Sequence, residues 1–191
     1  MANDSEATLL VVDDEKEVAD VYALKLEREY TVRVAYGGEE ALEKVDDEVD
    51  VVLLDRRMPD KSGDDVLQEI RERELDCRVI MITAVDPDFD IIEMPFDDYL
   101  CKPVESDDLL GAVEQQLSAS EYDDRLSEYY EVTSKLALLE AEKTPQELQT
   151  NDDVVALRER AEELKSEMDE ALTDFDDFEM AFREIGRHPG R

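Results

Sequence analysis

Five short apolar stretches alternate with amphipathic stretches along the first 118 residues of the chain. Several of the apolar stretches lack the alternation of apolar and polar positions that a half-exposed strand shows. Continuous apolar strands are typical of parallel sheets, because helices cover both faces of such sheets. The pattern predicts strands at residues 8–13, 30–35, 49–55, 78–83 and 97–102.

Between these strands, apolar residues recur with the spacing of a helix. The clearest stripe consists of Ala19, Tyr22, Ala23 and Leu26, which follow the steps i, i+3, i+4 and i+7. Strand followed by helix, repeated along residues 1–118, predicts a doubly wound α/β domain with a five-stranded parallel sheet and right-handed crossovers. Shorter helical stripes occur at Ala41, Leu42 and Val45, at Val66, Leu67 and Ile70, and at Leu109 and Val113.

Polar side chains stand where the predicted strands end. In doubly wound sheets ligands bind beyond the carboxyl ends of the strands, so these side chains are candidate site residues. Any single carboxylate at a strand end is commonly a helix N-cap. Several carboxylates in one cleft would repel, raising one pKa or attracting a cation, and oxygen ligands suit Mg²⁺. The strand-end residues are Asp13 and Asp14, Asp55, Thr83, and Lys102.

Four segments, "LLVVDDE", "VVLLDRRMPDKSG", "VIMITA" and "DDYLCKP", follow one another in the order typical of one family. Through them, residues 7 to 118 resemble the receiver domain of two-component response regulators. The resemblance implies a flavodoxin-like fold and phosphorylation of an aspartate by a sensor histidine kinase. It implies no enzymatic activity beyond catalysis of the protein's own phosphorylation and dephosphorylation.

The resemblance also implies a function for each strand-end residue. Asp55 would be the phosphoacceptor, and Asp14 and Asp55 would bind Mg²⁺ directly, together with the backbone carbonyl of Arg57. Asp13 would bind Mg²⁺ through water. We also expect the Arg57 side chain to extend into solvent.

On the far side of the cleft, Thr83 and Lys102 would hold the phosphoryl oxygens, and Tyr99 would be the aromatic switch. Pro103 resembles the family's proline after the lysine, which typically follows a cis peptide bond. The segment between Thr83 and Lys102 is shorter than in typical receivers. With Asp86 and Pro87 suited to start a helix there and Pro95 to stop it, that helix should be short.

Residues 119–191 have helical patterns throughout. One helix carries Tyr122, Leu126, Tyr129, Leu136 and Leu139, and "TPQE" at 144–147 is a capping box that marks a new helix start. A final helix ending at Gly186 has a heptad seam. The seam would be buried against the preceding helix, in an intermolecular coiled coil, or in both. It consists of Val154, Leu157, Ala161, Leu164, Met168, Ala171, Phe175, Phe178, Phe182 and Ile185.

This second half resembles the HalX module found behind receivers in haloarchaea, through "LSEYYEVTSKLALLEAEKTPQEL" and "LRERAEELKSEMDEAL". The net charge of −34 for the whole chain is typical of an acidic halophilic surface. Because phosphate binding needs clustered Lys and Arg, the charge argues against a nucleic-acid partner. We expect the module to bind an unidentified output protein, or a second copy of the chain through residues 119–191.

Two cysteines are too few for a disulfide framework, and we expect Cys77 and Cys101 to be reduced thiols. Neither a signal peptide nor a membrane span is indicated, so a cytoplasmic protein is expected. Two other functions stay open at this point. One is a DNA-binding transcription regulator acting through the C-terminal module. The other is a metal-dependent phosphohydrolase, which would usually need an Asp where Arg57 stands.

Overall fold

The chain folds into five strands and six helices over the residues that a computed structural model describes, which are 7–84, 91 and 93–184. Side chains are described as far as residue 170, with the exception of 141 and 142. The strands are β1 (Thr8–Val12), β2 (Thr31–Ala35), β3 (Val51–Asp55), β4 (Arg78–Thr83) and β5 (Asp98–Cys101). The helices are α1 (Lys16–Leu26), α2 (Gly38–Lys44), α3 (Gly63–Glu72), α4 (Ser106–Glu142), α5 (Pro145–Thr150) and α6 (Asp152–Glu184).

All five strands form one parallel sheet in the order β2-β1-β3-β4-β5. This order confirms the predicted doubly wound α/β fold. Consecutive side chains on each strand point to opposite faces, so the sheet has two separate cores. Leu10, Val52 and Met81 pack with α2 and α3 on one face. On the other face, Leu9 and Ile80 pack with α1 and the beginning of α4.

The predicted helical stripes lie in these two cores. All four residues of the α1 stripe are buried, as are the shorter stripes of α2, α3 and the first turns of α4. Burial of a Val, Leu or Ile side chain, of which these stripes contain several, stabilises a fold by about 1.5–3 kcal/mol. The stripes therefore orient the helices relative to the strands and hold the strand ends in register.

The connection from β3 to α3 is held by the backbone of Arg56 and Gly63. The Gly63 amide donates to the Arg56 carbonyl at 2.9 Å, and a Cβ atom on Gly63 would lie 2.3 Å from the Asp55 carbonyl oxygen. Ser62 caps α3 by accepting from the Asp65 amide in a capping box. Glycine is thus required at position 63 because the helix begins directly against the end of β3.

A second compact unit comprises Ser118–Glu184, and the first unit extends as far as Leu117. The division falls within α4, where the sequence suggested two helical patterns. One helix results because residues 112–142 contain neither Gly nor Pro. The capping box at Thr144 and Glu147 is present as predicted, with Pro145 in the first turn of α5.

In the second unit, the early part of the predicted seam is buried within the chain. Val154 and Leu164 pack on Val132, Leu136 and Leu148. Across the same pair of helices, the Arg160 guanidinium donates to both carboxylate oxygens of Glu128 at 2.8 Å. The two helices thus form an antiparallel hairpin, and burial against the preceding helix accounts for this part of the seam, in which Met168 is also buried.

Several predictions fall outside the described residues. The helix start at Asp86 and Pro87 and the helix end at Gly186 belong to this group. So do the side chains of Phe175, Phe178 and Phe182.

The two cysteines form no disulfide, and burial raises the pKa of the Cys77 thiol to about 11. Such a thiol is protonated and unreactive near neutral pH. Of the helices in the part of the chain that the structure describes, none is both long enough and apolar enough to cross a membrane.

Replacing Gly63 by Ala tests the close approach of α3 to β3. We expect the variant to lose about 2–3 kcal/mol of unfolding free energy, because the added methyl group meets backbone atoms, which cannot move aside as a flexible side chain can. Gly37→Ala is the matched control, since a Cβ there would meet nothing within 4 Å. Urea unfolding of both variants measures the difference, and equal stabilities would contradict the crowding at Gly63.

Candidate functional site

The carboxyl ends of four strands bring their terminal side chains together at one edge of the sheet. Asp13 follows β1, Asp55 ends β3, Thr83 ends β4 and Lys102 follows β5. Backbone hydrogen bonds extend the ladders to this edge, since the Asp13 amide donates to Ala35 and the Lys102 amide donates to Thr83. The predicted strand-end residues are therefore held on a rigid rim.

Three carboxylates converge at this edge. One oxygen of each of Asp13, Asp14 and Asp55 lies within 4.8 Å of the others. Asp13 and Asp55 are buried, whereas Asp14 is half-buried. An arrangement of oxygen donors with one side open to solvent fits a hard divalent cation, which prefers carboxylate and water ligands.

Lys102 compensates part of this negative charge. Its ammonium donates to Asp13 at 2.7 Å and lies 3.3 Å from Asp55. Burial alone would lower the pKa of Lys102, but the hydrogen bond to Asp13 and the charge of Asp55 together raise it. The lysine is therefore a fixed positive charge. One ammonium among three carboxylates leaves the site with a negative charge that a cation would neutralise.

The environment of Asp55 differs from that of an exposed carboxylate. Burial raises the pKa of Asp55, Lys102 opposes that increase, and the nearby Asp13 carboxylate adds to it. The backbone N–H of Arg57 also donates to this carboxylate, while the Arg57 side chain is exposed as expected. A buried, weakly solvated carboxylate held by one lysine and one amide has the properties of an oriented nucleophile.

The rim also carries a hydroxyl group, that of Thr83, which is fully buried. Tyr99 lies on β5 and packs against the core between the sheet and α3. Burial raises the pKa of Tyr99, and hydrogen bonds with Arg56 and Thr83 partly oppose the increase. The structure thus brings the predicted switch residue to the predicted phosphoryl-binding hydroxyl. The peptide bond between Lys102 and Pro103 is cis, in agreement with the resemblance.

Two residues near the site were assigned no function from the sequence. Tyr22 was predicted as a core residue of α1, and it is buried. Burial raises the pKa of Tyr22, and the charges of Lys102, Asp13 and Asp55 also influence it, so this tyrosine lies near the site. Arg56 reaches both Tyr99 and the first turn of α3. Tyr22 fits the apolar stripe of α1, so the pattern does not indicate that it lies near the site. No local pattern distinguishes Arg56 from an exposed arginine.

Asp13 also shows why a strand-end carboxylate can have more than one function. Its Oδ1 accepts from the Glu15 amide at 2.9 Å, which orders the turn into α1, and its Oδ2 accepts from Lys102. The residue before α1 is Glu15, whose side chain does not cap the helix. Asp13 therefore stabilises the turn without acting as the helix N-cap, and it remains part of the carboxylate cluster.

Two family descriptions match the chain. The response regulator receiver domain matches residues 9–114, and the HalX domain matches residues 118–184. A protein of Haloferax volcanii with the name "Putative transcriptional regulator" is 48% identical over 169 residues. That match covers 88% of this chain and 29% of the relative, so the chain spans less than a third of the relative's length.

Solved receiver structures share the architecture of the first unit. A CheY-like receiver domain from Methanospirillum hungatei is 28% identical, with a TM-score of 0.59, over 62% of this chain and 99% of the other. TrrA from Thermotoga maritima, solved in complex with Mg²⁺ and BeF, is 32% identical with a TM-score of 0.50, over 58% and 98% of the two chains. The fold, the strand-end residues and the matched families agree, and the chain belongs to the response regulator receiver domain family, with a HalX domain after the receiver.

Proposed function

We propose that this response regulator accepts a phosphoryl group on Asp55 from the phosphohistidine of a sensor kinase, and that phosphorylation changes the activity of its helical module. The observation that carries the proposal is the position of Asp55. It is a buried carboxylate at the end of a central strand, 3.3 Å from the Lys102 ammonium and within 4.8 Å of two further carboxylates. Such a group can attack phosphorus with its charge and its orientation already set.

Four residues of the chain would each have a separate part in the phosphoryl transfer. Asp55 is the nucleophile, and the Arg57 amide and Lys102 fix its carboxylate. Lys102 and the Thr83 hydroxyl would stabilise the oxygens of the transferred group by charge and hydrogen bonding. No separate general base is needed for phosphorylation, because a carboxylate has no proton to lose as it attacks phosphorus.

A Mg²⁺ ion is the expected cofactor. Asp14 and Asp55 would bind it directly with the backbone carbonyl of Arg57, and Asp13 would bind it through water. When bound, the ion supplies positive charge that neutralises both the cluster and the phosphoryl oxygens. The chain would thus catalyse its own phosphorylation and dephosphorylation and act on no other substrate.

The second unit is the proposed output module. Residues 118–191 contain 21 acidic and 9 basic residues, a net charge of −12, which disfavours DNA and favours a protein partner. The name of the Haloferax volcanii relative supports the alternative, a transcription regulator that binds DNA. A cytoplasmic location agrees with a kinase donor and remains part of the proposal.

Phosphorylation at Asp55 has a direct test. A small phosphodonor with Mg²⁺ should add one acid-stable, base-labile phosphoryl group, as measured by mass spectrometry of the intact chain. Asp55→Asn should abolish the addition because the amide is not a nucleophile. Asp47→Asn removes an exposed carboxylate that does not belong to the cluster of Asp13, Asp14 and Asp55, and it should leave the addition unchanged. Unchanged incorporation in Asp55→Asn would refute the assignment.

Removal of one carboxylate should weaken the cation site. In Asp14→Asn, Mg²⁺ should raise the melting temperature less than in the wild type, because stabilisation by a ligand depends on its affinity. Without Mg²⁺ the variant should be at least as stable as the wild type, since repulsion among the carboxylates is relieved. Thermal unfolding at constant ionic strength measures both effects. An equal Mg²⁺ shift in the two proteins would contradict the site.

Residues 119–191 are proposed to form a homodimer through the later part of the seam. The sequence places three phenylalanines there, Phe175, Phe178 and Phe182, and exposing each would forgo about 1.5–3 kcal/mol. Sedimentation of the full chain in molar KCl should show a dimer that Phe178→Asp dissociates. The matched variant Leu138→Asp, at an exposed position of α4, should remain dimeric. A monomer at tens of micromolar wild-type protein is the contrary result.

A further inference from the structure

Arg56 lies on the opposite face of the sheet from the phosphoacceptor, although it is the next residue in the chain. Its amide continues the ladder by donating to the Ile82 carbonyl at 3.3 Å. Side chains alternate along an extended chain, so Arg56 points toward the core that contains Leu54 and Met81. Tyr99 pairs with Met81 across the sheet and packs on this same core.

The Arg56 guanidinium joins α3 to β5 on that face. Its side chain is 13% exposed, its Nε donates to Asp64 Oδ1 at 3.0 Å, and its terminal nitrogen donates to Asp64 Oδ2 at 3.2 Å. The same guanidinium is within hydrogen-bonding reach of the Tyr99 hydroxyl, which also reaches Thr83. Four side chains therefore form a continuous polar connection from the rim of the site to the first turn of α3.

The chemistry of these groups shows how the connection is held together. A guanidinium has donors and no acceptor, so the Tyr99 oxygen must accept from Arg56. Tyr99 is also hydrogen-bonded to the Thr83 hydroxyl, which lies at the edge of the cleft beside Asp55. Arg56 therefore fixes the Tyr99 hydroxyl, and Tyr99 in turn fixes the Thr83 hydroxyl. In the series Arg56, Tyr99 and Thr83, each side chain orients the next.

We propose that Arg56 is a positioning residue of the phosphoryl site, which orients the Thr83 hydroxyl through Tyr99 and links the occupied site to α3 through Asp64. The proposal rests on the proposed phosphorylation of Asp55. It assigns Arg56 no contact with the phosphoryl group. A lysine could satisfy Tyr99 or Asp64 but not both in this geometry, because only the planar guanidinium presents a fork of donors.

Binding of Mg²⁺ and beryllofluoride to the full chain tests the connection. Arg56→Met and Tyr99→Phe should each weaken beryllofluoride binding about fivefold, the effect of one lost hydrogen bond. The double variant should also lose about fivefold and not the roughly 25-fold of independent effects, because both changes interrupt one series. Arg28→Met makes the same replacement at an exposed position and should bind as the wild type does. Calorimetry measures all five proteins.

A second measurement needs no bound group. Without Mg²⁺, urea unfolding of the same variants should show that the losses of unfolding free energy for Arg56→Met and Tyr99→Phe are not additive.

Hydrogen exchange tests the link to α3. The exchange rate at the first turn of α3 should change when the wild type binds beryllofluoride, and it should not change in Arg56→Met. A purely structural arginine would alter stability while leaving both the affinity and this response intact.

The outcomes separate the two proposals. Wild-type protein that fails to bind beryllofluoride, or Asp55→Asn that binds it equally well, would overturn the phosphorylation site and this inference together. Wild-type binding that Arg56→Met leaves unchanged would overturn the inference alone. Should Arg56→Met fail to fold, Tyr99→Phe removes one oxygen atom and decides the question, since unchanged affinity in that variant excludes the series.

Discussion

Repulsion among three carboxylates at the sheet edge is the constraint on which the rest of the receiver depends. Asp13, Asp14 and Asp55 approach within 4.8 Å, two of them buried, while a single ammonium from Lys102 compensates one charge. Charges interact more strongly there than in water because the surroundings are less polarisable. The proposed affinity for a cation and the proposed reactivity toward a phosphoryl group would therefore both arise from the same unbalanced charge, and a rigid rim is needed to maintain it.

The sheet holds the three carboxylates close together, and it also separates the side chains on its two faces. Asp55 and Arg56 are neighbours in the chain, but they belong to opposite faces, one toward the carboxylates and one toward Tyr99 and Asp64. Chemistry at the first face can then alter the second without the two sets of side chains competing for space. The crowded Gly63 and the capping box at Ser62 fix the connection between β3 and α3. A change at the rim would thus be transmitted to a helix whose start is rigidly held.

The parts of this architecture that follow a repeating rule could be predicted from the sequence. Parallel strands end at one edge, so Asp13, Asp55 and Thr83 could be expected to meet before any coordinates were known. The contacts of Arg56 could not, because they join segments eight and 43 residues apart along the chain, at Asp64 and Tyr99. Nor does the periodicity of the seam in α6 show whether it packs on the preceding helix or on a second chain. Leu164 suits a hairpin and a coiled coil equally, and the choice depends on how far α4 extends.

In the hairpin, molar salt weakens the interactions between charges but does not weaken the burial of apolar side chains. The cross-helix pairs of Arg160 with Glu128 and Arg158 with Glu140 are substantially exposed, and such pairs contribute only about 0–1 kcal/mol even in dilute buffer. Molar salt screens these pairs, but it also screens the larger repulsion of the acidic excess. Burial of Leu164 and Val132 is not screened. The stability of the module should therefore depend on its apolar seam. Repulsion across the acidic surface determines the salt concentration above which burial of the seam is enough to keep the module folded.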